Sequence, residues 1–167
     1  MTGGWQILRR CCCRATFIDT RVLKHRQGDR GEFRVVSQPH DPARGSVRIL
    51  IVEDDYLISE GLRQACHEAG YDVVDIAVDA AQAISIAEQE RPDLVLMDIK
   101  LRGGSDGVEA ASLLRERFGI RSTFTTAYND PATLARGNRA DPAGWLFKPY
   151  DGARLLHVIQ RALNSAA

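Results

Sequence analysis

From Val47 onward, short apolar runs alternate with amphipathic stretches five times, and this alternation limits the possible folds more than any other feature of the sequence. The first run, Arg48–Val52, is continuous and rich in β-branched residues, which is typical of a strand buried on both faces. Runs of similar length predict five strands in all. Their predicted ranges are 48–52, 73–78, 93–98, 121–126 and 144–147.

In the stretches between the runs, apolar residues recur at intervals of three and four, as they do along one face of a helix. The inward positions of the first predicted helix are Ile58, Gly61, Leu62, Ala65 and Ala69. The other helices are predicted over 80–90, 108–118, 131–140 and 152–162. Strict alternation of strand and helix implies parallel strands, right-handed crossovers and helices on both faces. Residues 47–167 are therefore predicted to form a doubly wound α/β domain around a five-stranded parallel sheet.

Residues 1–46 differ from the rest of the chain in charge and in pattern. They carry nine Lys and Arg against four Asp and Glu, a balance of +5, whereas residues 47–167 have a balance of −5. They show no sustained helical or strand period, and residues 38–45 have the composition of a linker. We expect a basic, poorly ordered extension in front of the domain. The zero net charge of the whole chain argues against binding to nucleic acid through a strongly basic surface.

Membrane-spanning and secreted proteins fit the sequence poorly. No segment approaches the roughly 20 apolar residues of a membrane span, and Arg9, Arg10 and Arg14 interrupt the place of a secretion signal. Three cysteines are consecutive at 11–13 and the fourth is Cys66, which matches neither a disulfide framework nor a zinc site. We expect a cytoplasmic protein with reduced thiols. Since the last predicted helix ends near the C-terminus, we expect no output domain after it.

Polar and charged residues follow the ends of four predicted strands. They are Glu53 and Asp54 after the first, Asp98 at the end of the third, Thr126 at the end of the fourth and Lys148 after the fifth. The carboxyl ends of parallel strands meet at one edge of a sheet, where ligands bind. Two carboxylates about 4 Å apart repel by roughly 4 kcal/mol at an effective dielectric near 20, so a cation must compensate. Oxygen ligands without His or Cys suit Mg²⁺ better than zinc. A carboxylate nucleophile beside Mg²⁺, a lysine and a hydroxyl can accept a phosphoryl group.

Five sequence pieces in this order carry a family resemblance. They are ILIVEDD (49–55), LVLMDIKL (94–101), DGVEAA (106–111), TAYND (126–130) and FKPY (147–150). The intervals are 45 residues from Glu53 to Asp98, 28 from Asp98 to Thr126 and 22 from Thr126 to Lys148. With these pieces and intervals, residues 47–167 resemble the receiver domain of bacterial response regulators, the phospho-accepting part of two-component signalling. The resemblance implies a flavodoxin-like fold with strand order 2-1-3-4-5.

The resemblance also implies a role for each matching residue. Asp98 corresponds to the aspartate that is phosphorylated. Glu53 and Asp54 correspond to the acidic pair that holds Mg²⁺, together with Asp98 and the main-chain carbonyl of Lys100. Thr126 corresponds to the hydroxyl that bonds the phosphoryl oxygen.

Two further positions match the family at the end of the fifth predicted strand. Lys148 corresponds to the lysine that pairs with the phosphoryl group. Pro149 corresponds to a proline that follows a cis peptide bond in the family.

One position departs from the family pattern. Trp145 stands where the family usually has the Tyr or Phe ring that turns inward on activation. Because Trp is larger and has an indole donor, we expect inward packing to be harder and Phe147 or Tyr150 to share the role. Lys100 and Tyr128 flank the acceptor, and by family analogy they tune how long the phosphoryl group lasts.

The leading hypothesis is a stand-alone receiver that is phosphorylated on Asp98 by a histidine kinase or a histidine phosphotransfer protein. Such a domain is a signalling protein that assists its own phosphorylation and dephosphorylation, and not an enzyme in the ordinary sense. Its output would be a protein partner bound on the face of the fourth helix, fifth strand and fifth helix, or onward phosphorelay. A homodimer is compatible with this hypothesis, whereas nucleic acid is not expected as a partner.

Two alternatives stay open. A non-phosphorylated pseudo-receiver would use the same fold only for binding, although all five key positions are filled. A Mg²⁺-dependent phosphatase with an aspartate nucleophile would need Asp-x-Asp directly after the first strand, where this chain has Glu53-Asp54-Asp55-Tyr56.

Overall fold

Five strands and five helices alternate along residues 45–165, the part of the chain that the computed structural model describes. The prediction of a poorly ordered extension over 1–46 lies outside the described residues, except at its last two positions. The elements are β1 (Arg48–Val52), α1 (Tyr56–Glu68), β2 (Asp72–Ala77), α2 (Ala80–Glu90), β3 (Leu94–Asp98), α3 (Gly107–Phe118), β4 (Ser122–Thr126), α4 (Pro131–Gly137), β5 (Gly144–Phe147) and α5 (Gly152–Asn164). None of the helices within 45–165 is long and apolar enough to cross a membrane.

The five strands form one parallel sheet in the order β2-β1-β3-β4-β5, which confirms the predicted fold and strand order. β1 and β3 lie side by side, with Val52 opposite Met97. Further along, Asp98 lies opposite Thr125 and Thr126 lies opposite Phe147. This register brings the carboxyl ends of β1, β3, β4 and β5 to a common edge.

The sheet separates two apolar cores. Successive residues of a strand point to opposite faces, so Leu50 and Val52 pack towards α2 and α3 whereas Ile49 and Ile51 pack towards α1 and α5. All four side chains are fully buried, which explains the uninterrupted apolar run of β1. Burying each of them stabilises the fold by about 1.5–3 kcal/mol.

Every one of the five helices begins after an aspartate whose side chain accepts a hydrogen bond from a backbone N–H of the first turn. These N-cap residues are Asp55, Asp79, Asp106, Asp130 and Asp151. An N-cap of this type contributes about 1 kcal/mol. Because Asp55 immediately follows Glu53 and Asp54, its cap also fixes the start of α1 beside the carboxyl end of β1.

Two predicted helices differ from the observed ones. The helix predicted over 131–140 ends at Gly137 and continues as a 3-10 turn, Asn138–Ala140. In α1, Gly61 is exposed and the buried positions are Ser59, Leu62 and Cys66. The hydroxyl of Ser59 donates to the Tyr56 carbonyl at 3.0 Å, which lets a polar residue occupy the buried stripe. The exposed position of Ala69 follows because it lies after the helix, at its C-cap.

Candidate functional site

Three carboxylates meet at the carboxyl edge of the sheet. Each of Glu53, Asp54 and Asp98 offers an oxygen, and these oxygens all lie within 4.8 Å of one another. Adjacent strands explain the convergence, since Glu53 and Asp54 directly follow β1 and Asp98 ends β3. Glu53 is only 2% exposed and Asp98 only 13%. We call these three residues the carboxylate cluster.

Lys148 lies between two members of the carboxylate cluster. Its Nζ donates to Glu53 Oε2 at 2.7 Å and to Asp98 Oδ2 at 2.8 Å. The backbone supports this position because the Lys148 N–H donates to the Thr126 carbonyl at 2.8 Å, in line with the β4–β5 pairing. The Lys148–Pro149 peptide bond is cis, as the family resemblance implies.

Burial and charge shift the pKa values of Glu53 and Lys148. Burial raises the pKa of Glu53 to about 7, and repulsion by Asp98 adds to this, although the hydrogen bond from Lys148 offsets part of the rise. Burial acts to lower the pKa of Lys148, but the hydrogen bonds and charges of Asp98 and Glu53 outweigh it, so that this pKa is raised. Keeping Glu53 ionised in the folded domain therefore costs free energy, and a further positive charge beside its carboxylate would lower this cost.

The carboxylate cluster fits a magnesium ion. Its donors are carboxylate oxygens without any His or Cys, and Mg²⁺ prefers a few carboxylates together with water and phosphate oxygens. Oxygens that bind one octahedral ion at about 2.1 Å lie about 3.0 Å apart when cis and about 4.2 Å apart when trans, so the cluster would contract when the ion binds.

Thr126 is the last residue of β4, the strand beside β3, and Lys100 lies on the loop that follows Asp98. Thr126 is fully buried, and its hydroxyl accepts a hydrogen bond from the Tyr128 N–H at 3.0 Å. A hydroxyl that accepts one bond can still donate its own proton. The Lys100 N–H donates to Asp98 Oδ1 at 3.2 Å, and the Lys100 ammonium lies 3.9 Å from the centroid of the Tyr128 ring. The loops after β3 and β4 thus contact each other next to the acceptor candidate.

The family model for the response regulator receiver domain matches residues 49–160, which is more than half of the chain. The chain belongs to this family. It is 37% identical over 119 residues to the phyllosphere-induced regulator PhyR of Methylorubrum extorquens, which covers 71% of this chain and 44% of PhyR. It is 33% identical over 117 residues to the transcriptional regulatory protein PdtaR of Mycobacterium tuberculosis, which covers 70% of this chain and 57% of PdtaR. The chain thus spans about half the length of these curated relatives.

A solved structure supports the same assignment. The signal receiver domain of a modulated diguanylate cyclase from Desulfovibrio desulfuricans G20 superposes with a TM-score of 0.67 at 35% identity, over 71% of this chain and 94% of that one. Receiver domains are signalling domains that interact with kinases or other partners, and they bind Mg²⁺ through acidic residues. In this receiver domain, Glu53, Asp54 and Asp98 form such an acidic cluster.

The ring of Trp145 packs against α4 in this receiver domain. Its centroid lies 4.9 Å from that of Phe124, and its indole N–H donates to Asn138 Oδ1 at 3.2 Å. Gly137 makes room for this ring, because a Cβ on Gly137 would lie 2.8 Å from Trp145 Cζ2. The expectation that the larger ring turns inward less easily on activation stays a prediction. Phe147 stacks on Trp145, with ring centroids 6.1 Å apart, and a shared role for Phe147 or Tyr150 also stays a prediction.

Asp106 and Arg136 were given no role from the sequence, although Asp106 belongs to the family piece DGVEAA. Asp106 caps α3 and forms an ion pair with Arg136 on α4. Gly107 follows it, and a Cβ there would lie 3.0 Å from Ile99 Cα and closer still to the Asp98 carbonyl group. The Asp-Gly pair at the start of a predicted helix is a cap signal that points to Asp106. Nothing local in the sequence indicates its partner Arg136, which lies 30 residues away.

Proposed function

We propose that this receiver domain accepts a phosphoryl group on Asp98 from a histidine kinase or a histidine phosphotransfer protein, with Mg²⁺ held by Glu53, Asp54, Asp98 and the Lys100 carbonyl. One observation carries the proposal: the Lys148 ammonium lies within hydrogen-bond distance of both Glu53 and Asp98. A lysine beside a carboxylate cluster is the arrangement that charge neutralisation during phosphoryl transfer requires.

In the proposed reaction, an oxygen of the Asp98 carboxylate forms a bond to phosphorus. The phosphorus–nitrogen bond of the donor phosphohistidine breaks, and its electron pair returns to the imidazole. The bound ion would supply charge neutralisation and a coordination position for a phosphoryl oxygen. Lys148 then moves its hydrogen bond from the carboxylate to a phosphoryl oxygen, and the Thr126 hydroxyl donates to another. The product is an acyl phosphate on Asp98.

The proposed output is a change of the face formed by α4, β5 and α5. Phosphorylation adds about −1.5 to −2 charges at the edge of the sheet, and this charge biases the residues that contact it. A complete reversal from 1:99 to 99:1 would need about 5.5 kcal/mol, so we expect a partial shift. The changed face would bind a protein partner or a second copy of the chain, or Asp98 would pass the phosphoryl group onward.

The free thiol of Cys66 suits the reducing cytoplasm, where we place this reaction.

Intact-mass analysis after incubation with acetyl phosphate and Mg²⁺ tests the proposal. The wild type should gain one phosphoryl mass, and the gain should disappear with EDTA or in Asp98→Asn. Asp72→Asn is the matched control, because Asp72 is an exposed aspartate on the edge strand β2, and it should behave as the wild type.

Other results would favour the alternatives. A phosphoryl gain that persists in Asp98→Asn would place the acceptor elsewhere. No gain, together with no response to Mg²⁺ and beryllofluoride, would favour a pseudo-receiver. Turnover of a phosphomonoester that survives Asp98→Asn would favour a phosphatase.

A further inference from the structure

Asp106 connects three parts of the domain through different atoms. Its Oδ1 accepts a hydrogen bond from the Val108 N–H at 2.9 Å and so caps α3. Its Oδ2 accepts from the Arg136 guanidinium of α4. Its backbone forms an isolated antiparallel bridge with Lys100. We call the pair of Arg136 and Asp106 the α4 latch.

A continuous series of contacts runs from Asp98 to the α4 latch. The Lys100 N–H donates to Asp98 Oδ1, and Lys100 in turn pairs with Asp106. The Gly107 N–H donates to the Ile99 carbonyl at 2.9 Å. Because Gly107 lies so close to the Asp98 backbone that a Cβ would not fit, this end of the loop has little freedom to move independently of Asp98.

The series of contacts ends at α4, a short helix with little buried surface. All seven residues of α4 are described, and only Gly137 among them is buried. Contacts that hold α4 include the Asp130 cap, the packing of Trp145 and Phe124 against Gly137, and the α4 latch. Because six of the seven residues of α4 are exposed or half-buried, the α4 latch is one of the contacts that position this helix. Arg136 is 48% exposed and Asp106 is 22% exposed, so the pair is also accessible to substitution without opening the core.

We infer that the α4 latch transmits the state of the Asp98 site to α4 by a route that does not pass through Thr126. A change at Asp98 or at the Lys100 carbonyl moves the loop that ends in Asp106, and Arg136 carries the movement to α4. This inference rests on the proposed function, because phosphorylation and metal binding are the events that it transmits. Partly exposed ion pairs contribute about 0.2–1 kcal/mol, which corresponds to a coupling of about 1.4- to 5-fold.

Hydrogen exchange of the full chain tests the α4 latch. The measured quantity is the change in exchange rate of the 131–140 amides when Mg²⁺ and beryllofluoride are added. In the wild type this rate should change, and in Arg136→Gln the change should fall to less than half. Arg139→Gln removes the same charge from an exposed position of the following 3-10 turn and should leave the wild-type response.

Asp106→Asn provides a second, independent variant. Asn keeps an oxygen that caps α3 about as well as Asp does, but it removes the charge that holds Arg136. The single variants and the double variant should all reduce the α4 response by the same amount, because each breaks the same interaction. Additive losses would contradict the α4 latch.

Intact-mass analysis with acetyl phosphate on the same variants separates the two ideas. If the wild type gains a phosphoryl group but Arg136→Gln keeps the wild-type exchange response, the α4 latch is wrong and the proposed function stands. If the wild type gains no phosphoryl group, the proposed function fails, and the inference fails with it.

Discussion

At the scale of single residues, Lys148 is the side chain on which the carboxylate cluster depends most. It donates to two carboxylates at once, and one of them, Glu53, is almost completely buried. A buried carboxylate that loses its partner retains the cost of desolvation without the compensating attraction. Lys148 therefore stabilises the fold as well as the proposed chemistry.

Lys148→Met should lower the free energy of unfolding by about 1–3 kcal/mol in EDTA, because Glu53 and Asp98 are left without their donor. Added Mg²⁺ should restore part of the loss, since an ion bound only to the folded state stabilises it. Urea denaturation at pH 7.5 with and without Mg²⁺ measures both effects.

Lys100→Met is the matched control for Lys148→Met. It removes the same charge from an exposed side chain whose ammonium contacts the Tyr128 ring, so it should cost less than about 1 kcal/mol. Equal losses in the two variants would show that Glu53 and Asp98 do not depend on Lys148.

The sequence is sufficient to predict which residues gather at the site, because the argument needs only strand order and strand ends. Glu53, Asp98 and Lys148 are each adjacent to an apolar run, and parallel strands bring such positions together. The pairing of Asp106 with Arg136 cannot be predicted in this way. It depends on where α4 lies relative to α3, which is decided by tertiary packing and not by a local pattern.

At the scale of elements, the contact between α4 and β5 depends on a glycine. The Trp145 ring occupies the space that a side chain at Gly137 would fill, and its indole also bonds to Asn138. The wide ring and the missing side chain are therefore complementary. A side chain at position 137 would clash with the Trp145 ring, and a smaller ring at position 145 would leave a gap between α4 and the sheet.

Gly137→Ala should destabilise the domain by about 1–3 kcal/mol, because the new methyl group overlaps the Trp145 ring and forces one of them to move. In a Trp145→Tyr background the same substitution should cost less, since the smaller ring leaves room. A double-mutant cycle of urea denaturation measures the difference, and an interaction energy of about 0.5 kcal/mol or more is expected for residues in contact. Strictly additive costs would contradict the contact.

The sequence pattern predicts most of the strands and helices, but it predicts their buried faces and their end residues less well. β1 was predictable because a run of four buried apolar residues has no other compatible environment in this fold. The end of α4 was not, because Gly137 also packs against Trp145, and no local pattern in the sequence indicates this tertiary contact. In α1, the buried Ser59 shifts the inward stripe because its hydroxyl is satisfied within the helix.

At the scale of the whole molecule, the free energy of unfolding should depend on pH through a thiol buried in the core between the sheet, α1 and α5. Cys66 is fully buried in that core, and burial raises the pKa of its thiol from an ordinary 9.0 to about 11. The folded chain therefore keeps a proton that the unfolded chain loses above pH 9. Stability is fully present below pH 9 and declines as the pH rises towards 11.

Between pH 8 and pH 10, Cys66 should account for a loss of about 1 kcal/mol in the free energy of unfolding. Cys66→Ala should remove this part of the decline, although the cavity lowers stability equally at both pH values. Cysteines 11–13 are the same in both chains, so the difference between the two declines isolates Cys66. Parallel declines would mean that the Cys66 thiol titrates as it does in water.

The contact of Trp145 with α4 also makes its fluorescence useful as a signal. Its indole lies half-buried on the face where we expect protein partners to bind, and the chain has only one other tryptophan, Trp5. With Trp5 replaced by Phe, the emission of a single native fluorophore would follow events at that face. Partner titrations and stopped-flow kinetics then need no dye label, and they can be carried out at nanomolar to micromolar protein concentrations.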